Sequence, residues 1–135
     1  MITAILDTSA LIDWQYWLRD DDDLSASSVS YAELEFGVSI PSLNPMERAF
    51  RQQRLRQLRE HFGPGLPFDD AAAASYGMIT QFVLESGRQV RGRTADLMIA
   101  AIAHANHVAL ITNDVHDLGS LEPLVQIIHP GARPN

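Results

Sequence analysis

A chain of 135 residues with 46% hydrophobic content, no cysteine and a formal charge of −7 has material for one compact domain and its core, and too little for two. The missing cysteine excludes disulfides, thiolate zinc sites and cysteine nucleophiles. All ten cations are arginines, which excludes P-loop NTPases and Schiff-base enzymes, leaves no expected nucleotide cofactor, and passes any phosphate contact to guanidinium forks.

The first element expected is a buried strand, Thr3–Leu6, ending in Asp7. Its apolar run is too short and its flank too uncharged for a signal peptide, no run approaches a membrane span, and a cytoplasmic protein is the expectation. Thr8 and Ser9 are placed to cap a helix with Leu11, Ile12, Trp14 and Leu18 inward, broken by the charged run Arg19–Asp23. A second strand is expected over Leu24–Val29. Ser30-Tyr-Ala-Glu33 then has the spacing of a capping box opening a helix to about Val38.

Pro41 to Pro45 reads as a connector. Met46–Phe62 reads as an arginine- and glutamine-rich helix stopped by Gly63-Pro64-Gly65. Leu66–Phe68 is expected as a third strand, and Asp69 or Asp70 as the cap of a helix over Ala71–Ser86. Arg88–Arg93 is a basic loop. Thr94–Asn106 is a helix with Leu97, Met98, Ala101, Ile102 and Ala105 inward. Val108–Thr112 and Leu124–Ile128 are the last strands, with a helical turn near Asp117–Leu121 between them.

Strands that alternate with helices imply an α/β fold: one three-layer domain over residues 1–130, with a mostly parallel sheet flanked by helices and a tail at 131–135. In such sheets reactive groups gather beyond the carboxyl ends of the strands. Asp7, Asp114 and Asp117 follow strands. Glu33 and Asp96 sit in the first turns of helices whose N-termini face the same edge. Taken singly, Glu33 is explained by a capping box, Asp96 by its helix dipole, and Asp114 and Asp117 by turns. Asp7, just past a buried strand, needs a partner or a metal.

Taken together, carboxylates about 4 Å apart repel by roughly 4 kcal/mol per pair at an effective dielectric of 20. With no lysine to neutralise them, a divalent ion is the economical solution, and hard oxygen donors favour Mg²⁺ or Mn²⁺. Such an ion suits hydrolysis of phosphodiesters.

Four blocks then carry a family likeness: Asp7-Thr-Ser-Ala-Leu, Ser30-Tyr-Ala-Glu33-Leu-Glu-Phe-Gly37, Thr94-Ala-Asp96-Leu-Met-Ile-Ala-Ala and Ile111-Thr-Asn-Asp114-Val-His-Asp117-Leu. In this order they resemble the signature blocks of PIN-domain nucleases, and most of all VapC-type toxins of bacterial toxin–antitoxin pairs. The resemblance implies a Mg²⁺- or Mn²⁺-dependent endoribonuclease in which Asp7 and Asp96 hold the ion directly and Glu33 directly or through water. The fourth acid is Asp114 or Asp117. Thr8, Ser9, Thr112 and Asn113 match polar positions that orient water or the acids. His107 stands where the family often has glycine. The resemblance further implies a homodimer, a cognate antitoxin, and a substrate in single-stranded loops of tRNA, rRNA or mRNA, whose cutting inhibits translation.

Arg88, Arg91 and Arg93 precede Asp96 and are candidates for RNA phosphate contacts. Arg48, Arg51, Arg54, Arg56 and Arg59 form a basic helix that is either a solvated face or lies beside RNA or an antitoxin. Trp14, Tyr16 and Trp17 are either core or base-stacking residues. Two other functions compete: a non-catalytic PIN-like scaffold for RNA or protein, and a phosphoacceptor receiver domain. The second needs paired acids after the first strand and a lysine, which this chain lacks.

Overall fold

The computed structural model describes residues 2–16 and 18–132. Short apolar segments make the sheet. β1 (Thr3–Leu6) pairs in parallel with β2 (Asp23–Ser25) on one side and with β3 (Ala109–Ile111) on the other; β3 pairs in parallel with β4 (Ile127–Ile128). The order is β2-β1-β3-β4, parallel throughout. Side chains alternate across the pleat, so each strand feeds both faces. Ala4, Leu6, Ala109, Ile111 and Ile128 pack against α1 (Thr8–Ile12), α2 (Ser28–Val38) and α3 (Pro45–Phe62). Ile5, Leu110 and Ile127 pack against α4 (Asp70–Glu85), α5 (Thr94–Ala105) and α6 (Val115–Leu118). This is the three-layer α/β arrangement expected from the alternating elements.

Several local expectations are corrected. The cap of α1 is Asp7 itself, whose side chain accepts from Ala10 N, not Thr8 or Ser9. That helix stops at Ile12, and Trp14–Tyr16 is a separate 3₁₀ turn, so Trp14 and Leu18 lie beyond it. Ser27, not Ser30, caps α2 by accepting from Ser30 N, which ends β2 at Ser25 and sets Glu33 past the capping-box position. Leu66–Phe68 forms no strand: Pro67 has no N–H to extend a ladder, and only an isolated bridge between Ser27 and Leu66 survives. Met98 is half-exposed rather than inward, and β4 is confined to its last two expected residues. Trp17 and residues 133–135, within the expected tail, lie outside the described residues. Among the described residues no helix is long and apolar enough to cross a membrane.

Two backbone positions are under constraint. A Cβ on Gly65 would stand 2.6 Å from Ser28 N and 2.7 Å from the Ser27 carbonyl carbon, both backbone atoms at the start of α2. Gly65→Ala therefore pushes the helix that carries Glu33, and a loss of about 1–3 kcal/mol is expected in denaturant titration. His107, after the last turn of α5, has φ +57°, a left-handed conformation that suits glycine. His107→Gly is expected to raise stability by about 1 kcal/mol, measurable as a Tm increase of about 3 °C.

Candidate active site

The order β2-β1-β3-β4 places the reversal of strand order between β1 and β3, where parallel α/β sheets open a crevice at their carboxyl ends. Asp7 follows β1 there, and Asp114 follows β3. Asp7 N donates to Ile111 O at 2.9 Å, while Asn113 bonds Ser9 through its backbone N and its Nδ2, both at 3.2 Å, tying the two strand ends together. Asp114 N donates to the buried Thr112 hydroxyl at 2.9 Å, which fixes the turn that carries the acid.

Asp7 is only 3% exposed. Its Oδ1 accepts from Ser9 Oγ at 2.7 Å and Ala10 N at 2.9 Å, while its Oδ2 has no hydrogen-bond donor among the described residues. The Asp96 carboxylate has no hydrogen-bond donor among them at all. Glu33 Oε1 takes the Thr8 hydroxyl at 2.6 Å, and that hydroxyl is in turn 2.9 Å from Ser30 Oγ. Ser30 is fully buried and bonded to Ser27 by both its N–H and its hydroxyl. A chain of hydroxyls thus runs from the cap of α2 to Glu33. Ser27 and Ser30 were the residues missed as functional supports; the signal was the pair of serines three apart, read one turn too late.

Asp96 records how these acids face one another. Burial pushes its carboxyl above the usual range, and the charges of Asp7, Glu33 and Asp114 push it further, with the Arg93 guanidinium opposing them. Four of the five candidate acids therefore share one electrostatic neighbourhood. Asp117 stands apart: its Oδ1 is 3.0 Å from Arg93 Nη2 and 3.9 Å from Arg88 Nη2. Arg91 is exposed and makes no such contact among the described residues.

Carboxylate oxygens on Asp7 and Asp96 without a hydrogen-bond donor among the described residues, a hard donor set and mutual repulsion fit a divalent cation. Among the described residues no three of these groups are preassembled at ligand geometry, so an ion would have to draw them inward. Glu33, held by Thr8, has to swing or act through water.

The basic helix has other work. Arg48 donates to Val38 O and, at 3.0 Å, to Ile40 O; Arg51 donates to Gly37 O at 2.9 Å and pairs with Glu47. These guanidiniums satisfy carbonyls at and just beyond the C-terminus of α2, where the helix dipole is negative. Arg59 lies 4.5 Å over the Tyr31 ring. Much of α3 thus fixes α2, and with it Glu33. Trp14 stacks on His61 at 4.0 Å and packs edge-on to Phe62, a structural contact, while Tyr16 is exposed.

Comparison with known proteins agrees with this fold. The PIN-domain profile matches residues 4–116. Toxin FitB of Neisseria gonorrhoeae is 33% identical over 95 residues, 69% of this chain and 66% of that protein, so the match spans just under two thirds of the relative. Among solved structures, VapBC-5 of Mycobacterium tuberculosis, described as a member of the VapBC family of toxin–antitoxin systems, superposes with a TM-score of 0.79 at 32% identity, covering 96% of this chain and 99% of that one. The crystal structure of FitAcB from Neisseria gonorrhoeae gives a TM-score of 0.75 at 27% identity over 95% and 98% of the two chains.

Proposed function

Because the chain belongs to the PIN-domain family, we propose that it is a metal-dependent endoribonuclease that hydrolyses RNA phosphodiesters, and that it serves as the toxin of a toxin–antitoxin pair. The observation that carries the reading is that the oxygens of Asp96 and one of Asp7 have no hydrogen-bond donor among the described residues, while the charges of Asp7, Glu33 and Asp114 reach Asp96. Asp7, Asp96, Glu33 and Asp114 would hold Mg²⁺ or Mn²⁺. Asp114 is taken as the fourth acid, since Asp117 is occupied by arginines. When bound, the ion neutralises the acids, polarises the phosphate and makes a water acidic enough to attack at neutral pH.

The chain's own residues do the rest. Ser9 and the Ala10 N–H fix one Asp7 oxygen and leave the other without a hydrogen-bond donor among the described residues. Thr8 and Ser30 hold Glu33 beside it. Thr112 and Asn113 hold the turn of Asp114 against α1. Asp96 at the start of α5 lies where the helix dipole favours negative charge. Arg88 and Arg93 draw substrate phosphates toward this edge.

The substrate is RNA in single-stranded loops of tRNA, rRNA or mRNA, whose backbone and bases are reachable there as they are not in a duplex. The toxin role rests on the relatives: FitB is named a toxin, and VapBC-5 belongs to a toxin–antitoxin family. A cytoplasmic homodimer held silent by a cognate antitoxin, and inhibition of translation when it is released, complete the proposal. Exposed Phe36, beside half-buried Val29 and Met98 and next to Glu33, offers an apolar surface for either protein partner.

Purified protein supplied with Mn²⁺ is expected to cut structured RNA within single-stranded segments, and EDTA to stop it. Intact RNA after incubation with Mn²⁺, over a range of RNA classes, would overturn the assignment in favour of a binding scaffold.

A further inference from the structure

The five arginines of α3 are committed among the described residues. Arg48 and Arg51 serve α2 carbonyls, Arg54 and Arg59 lie over the rings of Phe50 and Tyr31, and Arg56 bonds Gln53. Arg88 and Arg93 are arranged differently. From either end of the loop between α4 and α5 they converge on a single carboxylate oxygen, Asp117 Oδ1, at 3.9 and 3.0 Å, and Arg88 Nη1 also donates to Asp117 O at 3.3 Å. The trio carries two positive charges and one negative, a local surplus on a protein of net charge −7.

The same spot has a second source of positive potential. Arg93 occupies the cap position of α5 with no side-chain hydrogen bond to the helix, so the first-turn amides of this 12-residue helix have no side-chain cap. Asp96 lies within that turn, which sets the surplus against the rim of the acidic crevice. The ion pairs themselves are partly exposed, with side-chain exposures of 20% for Arg93, 35% for Arg88 and 47% for Asp117. Exposed pairs of this kind are worth about 0.2–1 kcal/mol and exchange readily.

We propose that Arg88, Arg93 and the open first turn of α5 form a phosphodiester subsite beside the acidic crevice, and that the Asp117 carboxylate is a stand-in for the phosphate, holding both guanidiniums until an RNA phosphate displaces it. The proposal rests on the ribonuclease reading for the identity of the phosphate and extends it to a substrate-positioning site. Two guanidiniums from one loop make a fork that takes a phosphate through parallel N–H···O bonds. The carboxylate occupies that fork in the free protein, so a substrate phosphate has to compete with it for the two guanidiniums. Asp117 is then no ligand of the ion. Its removal acts in the opposite direction from removal of a ligand: it strengthens RNA binding.

The test uses Asp7→Asn as the background, so that binding is read without cleavage, and a short single-stranded oligouridine followed by fluorescence anisotropy over a series of salt concentrations. Adding Asp117→Asn is expected to tighten binding about three- to fivefold. It should steepen the logarithmic salt dependence by about 0.7, the value of one further neutralised phosphate on a single strand. The gain should vanish when Arg88→Gln and Arg93→Gln are also present. Mn²⁺ affinity of the Asp117→Asn chain, measured by calorimetry, is expected to match the parent. Unchanged or weaker oligouridine binding would overturn the proposal, as would lost Mn²⁺ affinity, which would return Asp117 to the ion. Asp117→Ser provides the same readout should the amide variant melt below the parent. A parent chain that binds oligouridine by this pattern but cuts no RNA with Mn²⁺ would strike the ribonuclease reading and leave the subsite standing.

Discussion

Asp7→Asn is expected to abolish RNA cleavage, by about a thousandfold or roughly 4 kcal/mol of barrier, while leaving the fold intact. The two halves of the prediction have separate causes. Asp7 caps α1 through Oδ1, which accepts from Ala10 N and Ser9 Oγ, and an asparagine carbonyl oxygen accepts both bonds equally well. The atom that changes is the other oxygen, which has no donor among the described residues and becomes an NH₂ group that repels a cation. Thermal unfolding within about 2 °C of the parent, together with lost cleavage, is the expected pair of results. Asp7→Ala would differ, because it also removes the cap, at about 1 kcal/mol, and empties a buried polar position.

The second large effect belongs to Asp96. Asp96→Asn is also expected to remove cleavage about a thousandfold. In metal-free protein at neutral pH, however, it should raise stability. The sign follows from linkage. Burial and the charges of Asp7, Glu33 and Asp114 place the folded-state pKa of Asp96 above its unfolded value. Between those values the folded chain holds the extra proton, so stability is highest on the acid side and is lost as pH rises through the folded pKa. At neutral pH the parent carries the full repulsion and the amide variant does not. The difference in Tm between the two should therefore be positive at pH 7 and shrink toward zero near about pH 4, where an ordinary aspartate protonates. Each 1 kcal/mol of relieved repulsion corresponds to about 3 °C. Saturating Mn²⁺ should reverse the order, since the parent gains binding free energy and the variant gains little.

The sheet and the acids just past its strands were readable from the sequence because their signals are local. Apolar runs that end in Asp7 and at Thr112 are short buried strands, and acids just past them have few structural excuses. Glu33 and Asp96 were plain only through the family blocks, because a glutamate or aspartate early in a helix has an ordinary electrostatic explanation. The register of α2 was missed by one turn. Ser27 and Ser30 are both competent caps, and the choice between them is made by the bond from Ser28 N to Leu66 O, 38 residues away. The expected third strand failed on Pro67. The arginines of α3 read as a basic face because the sequence does not say that the carbonyls of Gly37, Val38 and Ile40 lie alongside. Asp114 and Asp117 were equivalent on spacing, and only the folded loop brings Arg88 and Arg93 to the second of them.

The whole account depends on separate carboxylates serving one divalent ion, and calorimetric titration of Mn²⁺ into the metal-free protein at neutral pH tests this directly. Saturable binding that raises the Tm of the parent, and that is lost in Asp7→Asn and Asp96→Asn yet kept in Asp117→Asn, is the predicted result. Heats no larger than dilution for the parent, or equal binding by all four proteins, would contradict it.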